Sequence, residues 1–148
     1  MKRERFSRAD YRSLAEFRYQ IRRFLHFSEG AARAAGINPA QHQVLLVLKG
    51  IPPGTTPTIG NLAERLLLRH HSTVGLVDRL ARRDLVRRAP SGSDRRRVLI
   101  EITAKGERLL ERLSVIHRAE LRSGGASLMR AIRLLIVPGG IRRSRLSP

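Results

Sequence analysis

The stretch that most constrains this chain is Asp94-Arg95-Arg96-Arg97-Val98-Leu99-Ile100-Glu101-Ile102-Thr103-Ala104-Lys105-Gly106. A polar turn, Pro90-Ser91-Gly92-Ser93, precedes it. Val98, Ile100 and Ile102 alternate with Leu99 and Glu101, the pattern of a half-buried strand. Leu85-Val86-Arg87-Arg88 supplies a partner strand before the turn. Thr103 then stands where a helix cap belongs, with Gly106 and Glu107 in the first turn. Together these residues predict a hairpin whose tip holds three consecutive arginines, a tool for touching a polyanion.

The residues upstream predict two short helices. Thr58-Ile59-Gly60-Asn61-Leu62-Ala63-Glu64-Arg65-Leu66 starts on a capping threonine, and Leu67-Leu68-Arg69 forms the turn. Ser72 is read as the opening of the second helix, which runs to Arg83, with its cap there or a residue or two earlier. Two helices, a tight turn and a basic hairpin describe a winged helix-turn-helix. Within the second helix Thr73, Leu76, Val77 and Leu80 fall at i, i+3, i+4 and i+7 and should pack inward. His71, Ser72, Val74, Gly75, Asp78 and Arg79 then face outward. Gly75 costs roughly 1 kcal/mol against alanine inside a helix. Close approach to DNA and simple tolerance both explain it, and His70-His71 fits either a solvated helix start or a DNA contact.

The rest of the chain reads as helix. Leu14, Phe17, Ile21, Phe24, Leu25, Ser28 and Ala32 recur at helical steps, predicting one long helix over about 9–34 that ends near Gly36. Asn38-Pro39 is a cap followed by a first-turn proline, and Gln41 to Lys49 continues that helix. Gly50-Ile51-Pro52-Pro53-Gly54 stops it. After Thr103, Leu109, Leu110, Leu113, Ile116 and Leu121 carry an apolar stripe. Gly124-Gly125 is expected to break that stripe, with a last helix from Ala126 to Val137. The basic tail, 138–148, is expected to be disordered.

Charge narrows the partners. The 148 residues hold 30 Lys+Arg against 12 Asp+Glu, a formal charge of +18. That imbalance favours nucleic acid first and an anionic membrane surface second. No apolar run approaches the ~20 residues of a membrane span. Met1-Lys2-Arg3-Glu4-Arg5 leads into no apolar signal region, so a cytoplasmic location, at the nucleoid when bound, is the default expectation. With no cysteine there is neither a disulfide nor a thiol switch. No phosphate loop or nucleophile–base pattern is present, and the five histidines lack metal-ligand spacing. Neither an enzyme nor a cofactor nor a metal is expected.

The hairpin motif, Asp-x-Arg at Asp94 to Arg96 followed by a strand ending in Thr-x-x-Gly at Thr103 to Gly106, resembles the MarR family of bacterial transcription regulators. The resemblance covers roughly residues 10–136. It implies that Arg96, the arginine of Asp-x-Arg, enters the minor groove while Asp94 orients it. It implies a homodimer built from the terminal helices and a repressor relieved by a small aromatic or anionic effector. The expected effector contacts are Tyr19, Arg22, Arg23, His26 and His42.

The resulting expectation is a mainly α chain with a small β-hairpin wing, treated as a single domain over 1–148. Dimerisation helices span 9–36 and 104–137, flanking a DNA-binding lobe over 38–103. Surplus apolar residues at both ends, among them Leu14, Ile21, Leu25, Leu128, Ile132 and Leu135, suit a two-fold interface. Double-stranded DNA should meet Arg69, His70, His71 and Ser72 at the recognition-helix start, and Val74, Gly75 and Arg79 along its outer face. Asp94, Arg95, Arg96 and Arg97 complete the contact at the wing. Two such lobes read a pseudo-palindromic operator. A nonspecific or architectural DNA-binding protein is the alternative that uses the same charge.

Overall fold

The computed structural model describes residues 6–92, 94 and 96–137. Five helices and one antiparallel hairpin follow in the order α1 (Arg8–Ala34), α2 (Pro39–Lys49), α3 (Ile59–Leu66), α4 (His70–Arg82), β1 (Val86–Pro90), β2 (Val98–Ile102) and α5 (Ala104–Ile136). They form two compact units, Ser28–Ile116 and Met1–Phe27 with His117–Pro148. The basic tail expected over 138–148 lies outside the described residues.

In the unit Ser28–Ile116 the local signals decide where helices start and stop. Gly36 has φ +80, which a side chain rarely adopts, and it lets α1 close with Ile37 N–H donating to Ala32 O. Asn38 and Gln41 form a reciprocal capping box: Asn38 Oδ1 accepts from Gln41 N–H at 3.0 Å, and Gln41 Oε1 from Asn38 N–H at 2.9 Å. Pro39 opens α2, where its missing N–H is not needed. Thr58 caps α3 through its hydroxyl, which accepts from Asn61 N–H.

The turn after α3 differs from expectation in one respect. Leu67 takes the left-handed conformation, φ 55 and ψ 39, and ends α3 without a glycine. Only Leu68 and Arg69 then remain between the helices, so α4 begins at His70 with Arg69 as N-cap. Ser72 is therefore inside the first turn and does not open the helix. Arg69 offers no side-chain acceptor, and α4 starts without a side-chain cap.

The core of this unit joins every element around α4. Val44, Leu45 and Leu48 of α2 and Leu62 of α3 meet Leu76, Val77 and Leu80 of α4. Leu85, Val86 and Ile100 join the same core, as do Leu109, Leu110 and Leu113 of α5. Each such side chain, fully buried, contributes roughly 1.5–3 kcal/mol. Thr73, also buried, satisfies its hydroxyl by donating to Arg69 O.

The hairpin pairs Val86 with Ile102, Arg88 with Ile100 and Pro90 with Val98. β1 thus runs on through Ala89 and Pro90, and the turn begins at Ser91, not at Pro90. β2 begins at Val98, where the alternation begins. Only Ile100 of that strand is buried, while Val98 is 46% exposed. The strand leaves the core to become the wing, so its outer half has nothing to pack against. At its base Ile100 N–H donates to Pro57 O at 2.8 Å, tying the wing to the α2–α3 loop.

The Thr-x-x-Gly motif has a local cause. Thr103 donates its hydroxyl to Asp84 O and accepts from Gly106 N–H, while its own N–H donates to Leu85 O. Gly106 then passes so close to Leu85 O that a Cβ there would lie 2.1 Å away. Glycine is required by space.

The second unit contains the first part of α1 and the last part of α5. Phe24 and Phe27 set their rings edge-on to His117, at 6.1 and 5.9 Å. Arg23 and Glu120 approach to 3.8 Å, and Ala131 is buried. Ser7 and Asp10 cap the start of α1: Asp10 Oδ2 accepts from Ser7 N–H, and Ser7 Oγ from Asp10 N–H. The expected break at Gly124-Gly125 does not occur, and α5 is continuous through both glycines. Two interior glycines cost roughly 2 kcal/mol in propensity but keep their N–H groups in the ladder. Without a proline or a capping side chain nothing there terminates the helix.

Candidate nucleic-acid interface

Helix α4 and the wing present the expected residues on the surface of one unit. Arg69, His70 and His71 are exposed, and Ser72 is half-buried. Along the same helix Val74 and Gly75 are half-buried and Arg79 is exposed. An alanine methyl at Gly75 would meet Arg79 Nη1 at 3.7 Å, an ordinary contact, so packing within the chain does not demand glycine there.

At the wing tip Asp94, Arg96 and Arg97 are exposed, and Arg95 lies outside the described residues. Asp94 Oδ1 accepts from Arg96 N–H at 3.0 Å, and Asp94 O accepts from Arg97 N–H at 3.0 Å. The aspartate therefore shapes the turn that carries Arg96 by holding its backbone, with the guanidinium left outward.

Sequence reasoning missed how the acids near this surface are used. Asp78 of α4 pairs with Arg88 of β1 at 2.7 Å, and Glu101 of β2 with Arg87 at 2.6 Å. Arg87 and Glu101 are cross-strand partners, so the hairpin register would have revealed that pair. Both pairs are exposed enough that each contributes only about 0–1 kcal/mol. Their effect is on charge: the Asp78 and Glu101 carboxylates are neutralised, and Arg79, Arg96 and Arg97 are left without ion pairs among the described residues.

The five expected effector contacts fall in both units. Tyr19, Arg22 and His26 are exposed on α1, whereas His42 is buried in the other unit. Arg23 lines a cleft with Gln20, Phe24, Glu120 and Leu128. That cleft is about 20 Å³, room for about one water.

The comparisons with known proteins fit this geometry. A family model described as the MarR family matches residues 35–97. The uncharacterized HTH-type transcriptional regulator YhbI of Bacillus subtilis is 40% identical over 73 residues, 49% of this chain and 47% of that protein. The chain spans about half the length of the curated relatives it matches. Among solved structures, a Staphylococcus aureus MepR mutant bound to oligodeoxyribonucleotide has a TM-score of 0.62 at 22% identity, covering 80% of this chain and 82% of that one. CouR from Rhodococcus jostii bound to p-coumaroyl-CoA has a TM-score of 0.59 at 24% identity, covering 80% and 87%. At these identities the structures speak for the fold. Residues 35–97 thus match the MarR family, and the hairpin motif and the winged helix-turn-helix fold agree with that match.

Proposed function

We propose that the chain is a sequence-specific DNA-binding transcription regulator that works as a homodimer on a pseudo-palindromic operator. The observation that carries this reading is the pairing pattern on one face. Asp78 and Glu101 are held by arginines, while the start of α4 and the wing tip present cations to solvent. The start of α4 offers His71 and Ser72 to base edges in the major groove. Arg96 suits the narrow minor groove, where negative potential is enhanced. A structural neighbour bound to oligodeoxyribonucleotide supports the reading.

Dimerisation draws support from apolar surface on the unit built from the chain ends. Leu14 is 40% exposed and Leu25 49%, while Ile21, Leu128, Ile132 and Leu135 are already half-buried in one protomer. A second copy covering these positions would give the assembly two recognition helices, one for each half-site of a pseudo-palindrome. In this reading the regulator is a repressor relieved by a small aromatic or anionic effector, supported by the neighbour that holds p-coumaroyl-CoA. The deciding experiment is competition at fixed salt between a selected operator fragment and bulk DNA. A specificity ratio of about 10³ or more is expected, and a ratio near one would replace a specific regulator with an architectural binder.

A further inference from the structure

A polar groove lies beside the wing. It is bounded by Gly54, Thr55 and Thr56 of the α2–α3 loop, by Asn61, Glu64 and Arg65 of α3 and by Arg97 of the wing. Its volume is about 690 Å³. Small-molecule pockets enclose most of an apolar ligand. This groove is open and polar, which suits a strand passing through it.

The charges support that occupant. Wing arginines Arg87 and Arg88 have carboxylate partners, but Arg65 and Arg97 make no ion pair among the described residues. The loop is already fixed. Asn61 Nδ2 donates to Thr56 O at 2.7 Å and to Thr56 Oγ1 at 3.4 Å, and Thr58 N–H donates to Thr56 O. Because Thr56 Oγ1 accepts from Asn61, its own O–H remains to donate. The bond from Ile100 N–H to Pro57 O holds this loop alongside the wing.

We propose that the groove seats a backbone phosphate of the bound duplex, held by the Arg65 and Arg97 guanidiniums and the Thr56 hydroxyl, with Glu64 weakening the contact. The proposal rests on the DNA-binding reading and adds a third anchor to helix and wing. A phosphate contact positions the protein without reading bases. It should therefore act equally on all sequences.

The test uses the full chain and fluorescence anisotropy on short duplexes, one with the selected operator and one unrelated, across a salt series. Each lost phosphate contact reduces the salt slope by about 0.9, and Arg65→Ala removes one from each protomer of the homodimer, so both duplexes should bind about 60-fold more weakly at about 0.1 M salt, approaching parity near 1 M. Glu64→Gln should tighten binding to both, a result that damaged folding cannot produce. Salt-steep binding by the parent chain with Arg65→Ala unchanged would overturn the anchor and leave the regulator reading intact. A loss confined to the operator would overturn it in favour of base readout. Inorganic phosphate shifting the Thr55 and Thr56 amide resonances, with DNA affinity insensitive to Arg65→Ala, would overturn it in favour of a free-anion site. A parent chain that binds neither duplex would overturn both.

Discussion

Replacing Gly106 with alanine tests whether the Thr-x-x-Gly turn is held by space or by helix propensity. The added methyl would lie 2.1 Å from Leu85 O and 2.8 Å from Ile102 Cγ1. Relief requires the first turn of α5 and the chain at Leu85 to part by roughly 1 Å, because Cβ contacts below about 3.0 Å are not tolerated. The obstructing atom is a backbone carbonyl that cannot swing aside. It also accepts from Thr103 N–H at 3.1 Å, so the movement weakens that bond. Overpacking of this kind costs about 1–3 kcal/mol, and the weakened bond about 1 more. Alanine returns about 1 kcal/mol of helix propensity. The net expectation is a loss of about 1–3 kcal/mol, read from urea unfolding at fixed protein concentration with an unchanged m-value. Gly30→Ala is the internal control. That glycine is exposed in α1 with nothing within 4 Å of the added methyl, so it should gain up to about 1 kcal/mol. If Gly106→Ala were as stable as the parent, propensity would outweigh the contact, and the spatial account of the motif would be wrong.

Leu67→Gly should stabilise the fold by about 0.5–1 kcal/mol in the same unfolding assay. Leu67 is 91% exposed and buries little, and its left-handed backbone costs a side chain about 1–2 kcal/mol against glycine's smaller entropic loss. Asp10 should titrate below its ordinary 3.8, because the Ser7 hydroxyl and then the Ser7 N–H donate to its carboxylate. Its support of α1 is therefore complete above that ordinary value and lost as pH falls through the lowered one. An NMR titration of the Asp10 carboxyl checks the direction, and Ser7→Ala should return it toward 3.8. Arg96→Ala should weaken DNA binding and the preference for A·T-rich flanks while sparing the core half-site. Changes at His71 or Ser72 should alter core preference by roughly 1–3 kcal/mol, measured on a panel of single-base operator variants.

Much of the fold was legible because its signals are local. Asn38-Pro39, Thr58 and Thr103 each announce a helix start through hydrogen bonds completed within three residues. The inward face of α4 followed from periodicity alone. The departures turn on conformations that residue type does not announce. The start at His70 depends on Leu67 adopting a backbone that its residue type disfavours. The continuity of α5 past Gly124 follows from the absence of any competing terminator, which a pair of glycines does not supply. At the candidate interface, the residues that face outward could be read from the helix wheel and the hairpin tip. The pairing of Asp78 with Arg88 could not, since it requires a helix and a strand to be brought together. The groove at Arg65 was equally hidden, because loop, helix and wing contribute to it from distant parts of the chain.

The bond between Ile100 and Pro57 bears on whether the edge of the wing can recruit another strand. A two-stranded ribbon normally leaves both outer edges free to recruit a strand from another molecule. Here the outer side of β2 is occupied at Ile100 by a segment containing Pro52, Pro53 and Pro57, none of which has an N–H to extend a ladder. β1 ends on Pro90 and carries Arg87 and Arg88. The wing can therefore project far into solvent, as a reach into a groove demands, without becoming a template for edge-to-edge aggregation.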